Sequence, residues 1–158
     1  QKRLLGSQHR ATLRSMRNLA RVYFQQGRCE EGQKLCEKVI KEQDQVLGHE
    51  HPDTLESRAS LMVMYHLEGR LADAEQLGAQ VMETQFKVLG REHPRMLSSM
   101  SNFASMLYRQ DKYNEAKALY TEALELSLKL LGHEHPTTRM IMGNLALVLY
   151  RQSDSKEA

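Results

Sequence analysis

The hexapeptide LGHEHP at residues 47–52 decides the fold of this chain, because it returns at a fixed interval. It recurs as LGREHP at 89–94 and as LGHEHP at 131–136, so the period is 42 residues. A weaker copy, LGSQHR at 5–10, has Arg10 where the others have proline, and all three prolines of the chain occupy this slot. A period of this length predicts an array of repeated units rather than one irregular domain.

Apolar residues between these copies recur every three or four positions, which is the period of an α-helix. Proline suits the first helical turn, and the glycine of each Leu-Gly pair suits the left-handed residue that ends the preceding helix. The pattern predicts helices near 10–26, 29–46, 52–68, 71–88, 94–110, 113–130 and 136–152, with no strands. It also predicts short turns at Gly27, Gly69, Asp111 and Ser153, and it treats the first residues as the tail of an earlier helix that ends at Gly6.

The composition excludes several classes of protein. With 158 residues, 41% hydrophobic and 27% charged, the chain suits one globular domain or a short array, and it has no apolar stretch long enough to cross a bilayer. Leu4 and Leu5 form too short an apolar run for a secretory signal. Cys29 and Cys36 would lie about 10 Å apart on one helix, beyond disulfide reach, so we expect reduced thiols and a cytoplasmic location.

Aligning the repeats brings small and apolar residues into register. In the first helix these are Leu19, Leu61, Phe103 and Leu145, and in the second helix Gly32, Ala74, Ala116 and Ala158. The pattern resembles the tetratricopeptide repeat, and the Leu-Gly-x-Glu-His-Pro link is similar to that of the kinesin-light-chain subtype. The segment at 79–84 is also similar to arrays of fungal nucleotide-binding immune-receptor-like proteins.

The resemblance implies an all-α fold, a right-handed superhelix in which antiparallel helix pairs stack as an α-solenoid. Residues 1–158 would form a single array. Its repeats would lie at about 10–51, 52–93 and 94–135, followed by the leading helix of a fourth repeat at 136–158.

The resemblance also implies a function. Arrays of this kind bind a peptide or protein segment in a concave groove that is lined by the first helix of each pair. The residues that it would place on this lining are Arg14, Arg17, Asn18, Arg21, Ser60, Val63, His66, Asn102, Ser105, Tyr108, Arg109, Asn144, Leu147 and Arg151. We therefore expect a protein-interaction module that has no enzymatic activity, cofactor or membrane contact. The alternative is a structural role, in which the apolar ends pack on further repeats or on a second copy of the chain.

A basic stripe on the first helix indicates the chemistry of the ligand. Arg10, Arg14, Arg17 and Arg21 recur at spacings of four and three, so their guanidinium groups share one helix face. Like charges at these spacings are destabilising, and no acidic residue lies between Arg10 and Arg28 to offset them. An acidic peptide is the favoured ligand. A solvated face, contact with a preceding repeat and nucleic acid stay open, although the other helices do not continue the basic track that nucleic acid requires.

The His-Glu-His clusters of the links suggest a metal site, because imidazole and carboxylate groups are common zinc ligands. His51, His93 and His135 are related by the repeat translation, however, which would hold them about 20 Å apart at ordinary interhelical spacings. They cannot converge on one ion. We expect instead that the histidine before each proline closes the link and the start of the next helix.

Overall fold

The computed structural model describes the backbone of residues 2–157 and the side chains of residues 9–153. This part of the chain forms seven α-helices and no β-strand. In chain order they are α1 (Lys2–Gln25), α2 (Cys29–Val46), α3 (Pro52–Leu67), α4 (Leu71–Leu89), α5 (Pro94–Arg109), α6 (Tyr113–Leu131) and α7 (Pro136–Glu157). The helices from α2 to α6 begin and end within one residue of the predicted boundaries, which confirms the helical period.

The chain divides into two compact units, Gln1–Val81 and Met82–Ala158, with the boundary inside α4. In the first unit α2 packs on both α1 and α3, around the buried residues Ala20, Cys36, Leu61 and Met64. In the second unit α6 packs on both α5 and α7. Its larger core consists of Met96, Leu97, Met100, Ala104, Leu107, Ala116, Tyr120, Ala123, Leu126, Ile141 and Val148. The single array predicted for residues 1–158 stays a prediction.

A histidine caps the first turn of α3, α5 and α7. The Nδ1 atom of His51 accepts a hydrogen bond from the amide of Asp53 at 3.1 Å, and that of His93 accepts from the amide of Arg95 at 3.1 Å. His135 makes the same bond to the amide of Thr137 at 3.2 Å. Proline follows each histidine and has no amide hydrogen to satisfy, so the histidine and the proline together account for the first donors of the helix. The expectation that these histidines close the links is confirmed.

The turns between paired helices use the left-handed backbone region. Gly27, Gly69 and Asp111 have φ values of 79°, 80° and 60°. Glycine reaches this region without steric cost, and aspartate is among the few other residues that visit it routinely. These three predicted turns are confirmed.

Two predictions near the ends of the chain are wrong. The helix does not end at Gly6, because α1 runs through this residue without a break. Arg10 occupies the proline slot, so its amide can join the helix and His9 escapes the restriction that proline places on the residue before it. The turn expected at Ser153 is also absent, since α7 continues to Glu157. Serine adopts the left-handed conformation less readily than the glycine or aspartate found at the equivalent positions.

The paired helices approach most closely where the sequence aligns small residues. Ala74 and Ala116 are fully buried there. At the equivalent position in α2, a Cβ on Gly32 would lie 2.7 Å from the carbonyl oxygen of Ala20. The contact between α1 and α2 therefore leaves no room for even a methyl group.

Candidate peptide-binding surfaces

Two of the four arginines in the basic stripe are neutralised by α3. Arg10 donates to the Asp53 carboxylate at 3.0 Å, and although partial burial raises the pKa of Asp53, this arginine holds it below the ordinary value. Arg17 is only 8% exposed, and its Nη1 atom lies 2.9 Å from Glu56 Oε2 without the geometry of a hydrogen bond. The acids that α1 lacks are supplied by α3. Arg17 is committed to this contact, so we leave it out of the proposed surface.

The other two arginines of the stripe remain exposed. Within the described residues, neither Arg14 nor Arg21 has a carboxylate partner. Asn18 lies between them on the same helix face and is exposed as well. Arg10, Ala11, Arg14 and Asp53 line an open cleft of about 270 Å³ beside this face. We call Arg14, Asn18 and Arg21 the basic surface of the first unit.

The neighbouring face of α3 is less charged. Ser60 is half-buried, and its hydroxyl donates to the carbonyl oxygen of Glu56 at 3.0 Å in its own helix. Val63 is exposed and His66 is half-buried. Ser60 and Val63 occupy the repeat positions of Asn18 and Arg21, but the chemistry of this face is polar to apolar rather than cationic.

In the second unit, the predicted lining residues of α5 combine amide, hydroxyl and aromatic groups. Asn102 and Arg109 are exposed, whereas Ser105 and Tyr108 are half-buried. The ring of Tyr108 lies 5.7 Å from that of Tyr113, centroid to centroid, in a tilted arrangement that orients it.

A buried tyrosine of α6 holds two of these polar side chains. Tyr120 is almost fully buried, which raises its pKa, while side-chain hydrogen bonds with Ser105 and Asn144 act in the opposite direction. The same position holds Cys36 in α2 and Gly78 in α4, so neither of those repeats has a hydroxyl there. Asn144 is therefore anchored to the core, unlike the exposed Asn18 and Asn102.

The remaining predicted residues lie on α7. Leu147 and Arg151 are exposed, and they are accompanied by the exposed side chains of Met140 and Tyr150. This face offers apolar, aromatic and basic groups together. We call the exposed predicted residues of α5 and α7 the mixed surface of the second unit; they are Asn102, Arg109, Leu147 and Arg151.

A different face of α7 is apolar and uncovered in the described part of the chain. Met142 and Leu149 are 37% and 41% exposed. The equivalent residues of α5, Met100 and Leu107, are each only 3% exposed. Because α6 packs on α5, the same pattern of side chains on α7 offers a surface that suits another helix.

The acids that pair with α1 were not predicted from the sequence, although one signal pointed to them. The repeat register places Glu56 at the position of Arg14, so the two first helices carry opposite charges at this position. A comparison of charge between aligned repeats, rather than along one helix, identifies Glu56 as a candidate partner.

Neither the histidines nor the cysteines form a metal site in the described residues. No group of three or more histidine, cysteine, aspartate or glutamate side chains is arranged there to hold an ion. Cys29 and Cys36 are free thiols, as expected. Burial raises the pKa of Cys36 to about 12, and its sulfur lies 3.5 Å from the carbonyl oxygen of Ser57.

Among the described residues, no helix is both long enough and apolar enough to cross a membrane.

Known proteins with the same fold resemble this chain over most of its length. The tetratricopeptide repeat family model matches residues 12–85, 63–128 and 95–158. Two crystal structures of nearly identical TPR-like repeats of kinesin-light-chain type from Podosopora anserina, one of them a point variant, share 32% sequence identity with this chain and have a TM-score of 0.82. They match 94% of this chain, which covers 70% and 71% of the two solved chains.

A further structure, BtubC (BKLC) from P. vanneervenii, shares the fold with a TM-score of 0.77 at 20% identity. The match covers 89% of this chain and 56% of the solved BtubC chain. No curated protein sequence matches. These similarities confirm the predicted all-α tetratricopeptide fold and its kinesin-light-chain-like repeats.

Proposed function

Because the chain belongs to the tetratricopeptide repeat family, whose arrays generally mediate protein–protein interaction, we propose that it binds an acidic peptide or protein segment on the basic surface of its first unit. The observation that carries this proposal is that Arg14 and Arg21 are exposed without a carboxylate partner in the described residues. We further propose that this surface lies on the concave side of the array, as the family resemblance implies.

The spacing of the basic surface suits two carboxylates rather than one. Arg14 and Arg21 are seven residues apart, so their Cα atoms lie about 10 Å apart along the helix. Each guanidinium can bind a carboxylate through two parallel hydrogen bonds. Asn18 lies between them and offers both a donor and an acceptor to the backbone of an extended ligand.

The mixed surface of the second unit is proposed as a second contact for the same class of ligand. Asn102 offers an exposed amide to a ligand backbone, and Leu147 offers apolar contact area. Positive charge is added by Arg109 in the last turn of α5 and by Arg151, which lies six residues before the end of α7. This composition favours a ligand in which acidic side chains are combined with apolar ones.

A charge-reversal experiment tests the acidic-ligand proposal. The double variant Arg14→Glu/Arg21→Glu should weaken binding of a glutamate-rich peptide on the order of 100-fold, because two charge-assisted contacts are lost. Its matched control is Lys38→Glu/Lys41→Glu, which makes the same change in net charge on exposed residues of α2. Fluorescence anisotropy measures both variants and the parent at two salt concentrations.

The proposal predicts that the α2 control binds within a few-fold of the parent and that parental affinity falls as salt rises. Equal losses in the two double variants would show that net charge alone attracts the peptide. Equal affinity for the glutamate-rich peptide and its glutamine counterpart would reject an acidic ligand.

A structural role is the second candidate, and the apolar face of α7 favours it. Met142 and Leu149 are exposed although their α5 equivalents are buried. In this case the array packs on further repeats or on a second copy of itself. Sedimentation velocity of the parent and of Met142→Lys/Leu149→Lys distinguishes the structural role from the interaction module. Concentration-dependent association that the variant abolishes supports self-association. A monomeric parent that binds peptide supports the interaction module.

Tetratricopeptide scaffolds of this kind are typically not enzymes, and we propose that this chain has no catalytic activity of its own. The cytoplasm is the proposed compartment, because two free thiols suit a reducing environment. A role in a motor-cargo adaptor or in a fungal receptor-like protein stays a prediction that rests on the sequence resemblance.

A further inference from the structure

The open cleft beside α1 distinguishes one end of the basic surface from the other. Arg10, Ala11, Arg14 and Asp53 line this cleft, whose volume is about 270 Å³. Pockets for drug-sized ligands are generally larger, so the cleft suits one small charged group. We propose that it binds the phosphate group of a phosphorylated serine or threonine in the acidic ligand, an inference that rests on the proposed function.

The spacing of the arginines favours one shared anion at this end. Arg10 and Arg14 are four residues apart on one helix face, so their Cβ atoms lie about 6 Å apart. Arg21 lies a further seven residues along the helix, too far to share the same group. A phosphate offers three acceptor oxygens, whereas a carboxylate offers two. A phosphate can therefore accept hydrogen bonds from both Arg10 and Arg14.

Both guanidinium groups are accessible to a ligand. The side chain of Arg10 is 50% exposed, and its Nη2 atom donates to Asp53 Oδ2 at 3.0 Å. Arginine has five N–H donors, so this bond to Asp53 does not saturate Arg10. Arg14 is exposed and has no carboxylate partner in the described residues. Residues 1–8 contain no aspartate or glutamate that could compete for these arginines.

Asp53 determines which anions the cleft prefers. Its carboxylate faces Arg10 across the cleft, so any ligand anion competes with it for this arginine. Two arginines against one aspartate still leave an excess of one positive charge in the lining. The electrostatic attraction of this excess for a dianion is about twice that for a monoanion at the same distance. The cleft therefore favours a phosphate, with a charge close to −2, over a carboxylate.

The distance to Arg21 predicts where a second acidic group lies in the ligand. The centre between Arg10 and Arg14 is nine residues from Arg21, which is about 14 Å along the helix axis. An extended peptide advances about 3.4 Å per residue, so four residues span this distance. A phosphoserine in the cleft would thus place an acidic residue four positions away beside Arg21.

Three peptides test the inference on the parent protein. Each has a glutamate four residues before and four residues after a central position, which holds phosphoserine, glutamate or serine. Fluorescence anisotropy should show that the phosphoserine peptide binds on the order of 10-fold tighter than the glutamate peptide. If the glutamate peptide binds and the phosphoserine peptide binds no tighter, the inference is wrong while the proposed function stands. If neither peptide binds, both are wrong.

Variants of the cleft test which residues carry the preference for phosphate. Asp53→Asn should raise the ratio of the two affinities about threefold, because it releases Arg10 and removes a like charge. Arg10→Gln/Asp53→Asn should lower this ratio to about twofold or less, because one of the two guanidinium groups is lost. The comparison of peptides on the parent needs no variant, so it remains decisive if a variant does not fold.

The matched control for these variants is Asp73→Asn. Asp73 accepts a hydrogen bond from Arg70 at 2.8 Å, and this pair lies beyond the other end of α3. Asp73→Asn therefore makes the same change in net charge and also releases an arginine, but away from the cleft. This variant should keep the parental ratio. Equal increases in Asp53→Asn and Asp73→Asn, or a parental ratio in the Arg10 double variant, would overturn the inference.

Inorganic phosphate tests whether the rest of the peptide is needed. Because Arg21 binds the second acidic residue of the peptide, inorganic phosphate should bind at least about 10-fold more weakly than the phosphoserine peptide. Competition in the same anisotropy assay measures this difference. Equal affinity for inorganic phosphate and for the phosphoserine peptide would show a site for free phosphate and would overturn the assignment to a phosphorylated segment.

Discussion

Replacing Gly32 with alanine tests the closest helix contact of the first unit. A Cβ there would lie 2.7 Å from the Ala20 carbonyl oxygen, 3.1 Å from the Phe24 amide nitrogen and 3.2 Å from the Phe24 Cβ. Two of these atoms belong to the backbone of α1, so rotation of a side chain cannot relieve the clash. The two helices must move apart, and the packing between α1 and α2 is loosened along its length.

The expected loss of stability is the difference between two opposing contributions to the free energy of unfolding. Alanine gains about 1 kcal/mol over glycine in a helix interior. Overpacking a tight contact costs about 1–3 kcal/mol, and displacement of backbone places this case near the upper end. The free energy of unfolding should therefore fall by about 1–2 kcal/mol, which corresponds to a decrease in midpoint temperature of about 5 °C. Urea unfolding followed by far-ultraviolet circular dichroism measures it.

The matched control makes the same substitution in an open place. A Cβ on Gly143, in α7, would meet no atom within 4 Å. Gly143→Ala should therefore stabilise the chain by about 0.5–1 kcal/mol through helix propensity alone. If Gly32→Ala stabilises the chain as Gly143→Ala does, the close approach of α1 and α2 described above is wrong.

Three further predictions concern the core, the mixed surface and the thiols. Ala116→Leu should unfold the second unit by overpacking, whereas Asn102→Ala should keep the melting temperature and lower peptide affinity. Thermal melts and binding isotherms compare the two variants. The reversed pattern would contradict the assignment of Ala116 to the core and of Asn102 to the mixed surface. Tyr120→Phe should lower the free energy of unfolding by about 1 kcal/mol, because Ser105 and Asn144 lose their side-chain hydrogen bonds to the phenol, and an unchanged urea midpoint would contradict these bonds. Cys29 should react with a maleimide in the native state while Cys36 stays protected, because burial raises the pKa of Cys36 to about 12. Since the folded pKa of Cys36 exceeds the ordinary thiol value, the contribution of the neutral thiol to stability is complete below about pH 8.5 and is lost as the pH rises toward 12. Equal labelling rates for the two thiols would refute this.

The helix boundaries could be predicted closely because the signals that set them are local. Pro52 and Pro94 begin helices, and Gly27 and Gly69 turn the chain, through conformational preferences of the residues themselves. The prediction failed at Ser153, where alignment with other repeats suggested a turn that serine does not favour. A repeat register indicates where a turn can lie, but the residue in the slot decides whether it forms.

The candidate surface could be predicted only in part, because the partners of its charges lie on another helix. The spacing of the arginines placed Arg14 and Arg17 on one face of α1, yet spacing within a helix does not reveal what the next helix presents. Glu56 reaches Arg17 across 39 residues of sequence, and Tyr120 reaches Asn144 in the same way. These contacts depend on helix packing, which the repeat pattern implies in outline but not side chain by side chain.

The joints between repeats, each formed by a link and the first turn of the following helix, are held largely by hydrogen bonds within that segment. At the first joint, the His51 ring binds the amide two residues ahead, and the Thr54 hydroxyl donates to the Gly48 carbonyl oxygen at 2.9 Å. The histidine bond recurs at His93 and His135, whereas the position of Thr54 holds Met96 in the next repeat, so the bond from histidine to backbone is the part that all three joints share. Gene duplication or unequal crossing-over that adds or removes 42 codons therefore inserts or deletes a unit whose ends already fit. Copy number can change within a lineage before any residue inside a repeat has to adapt.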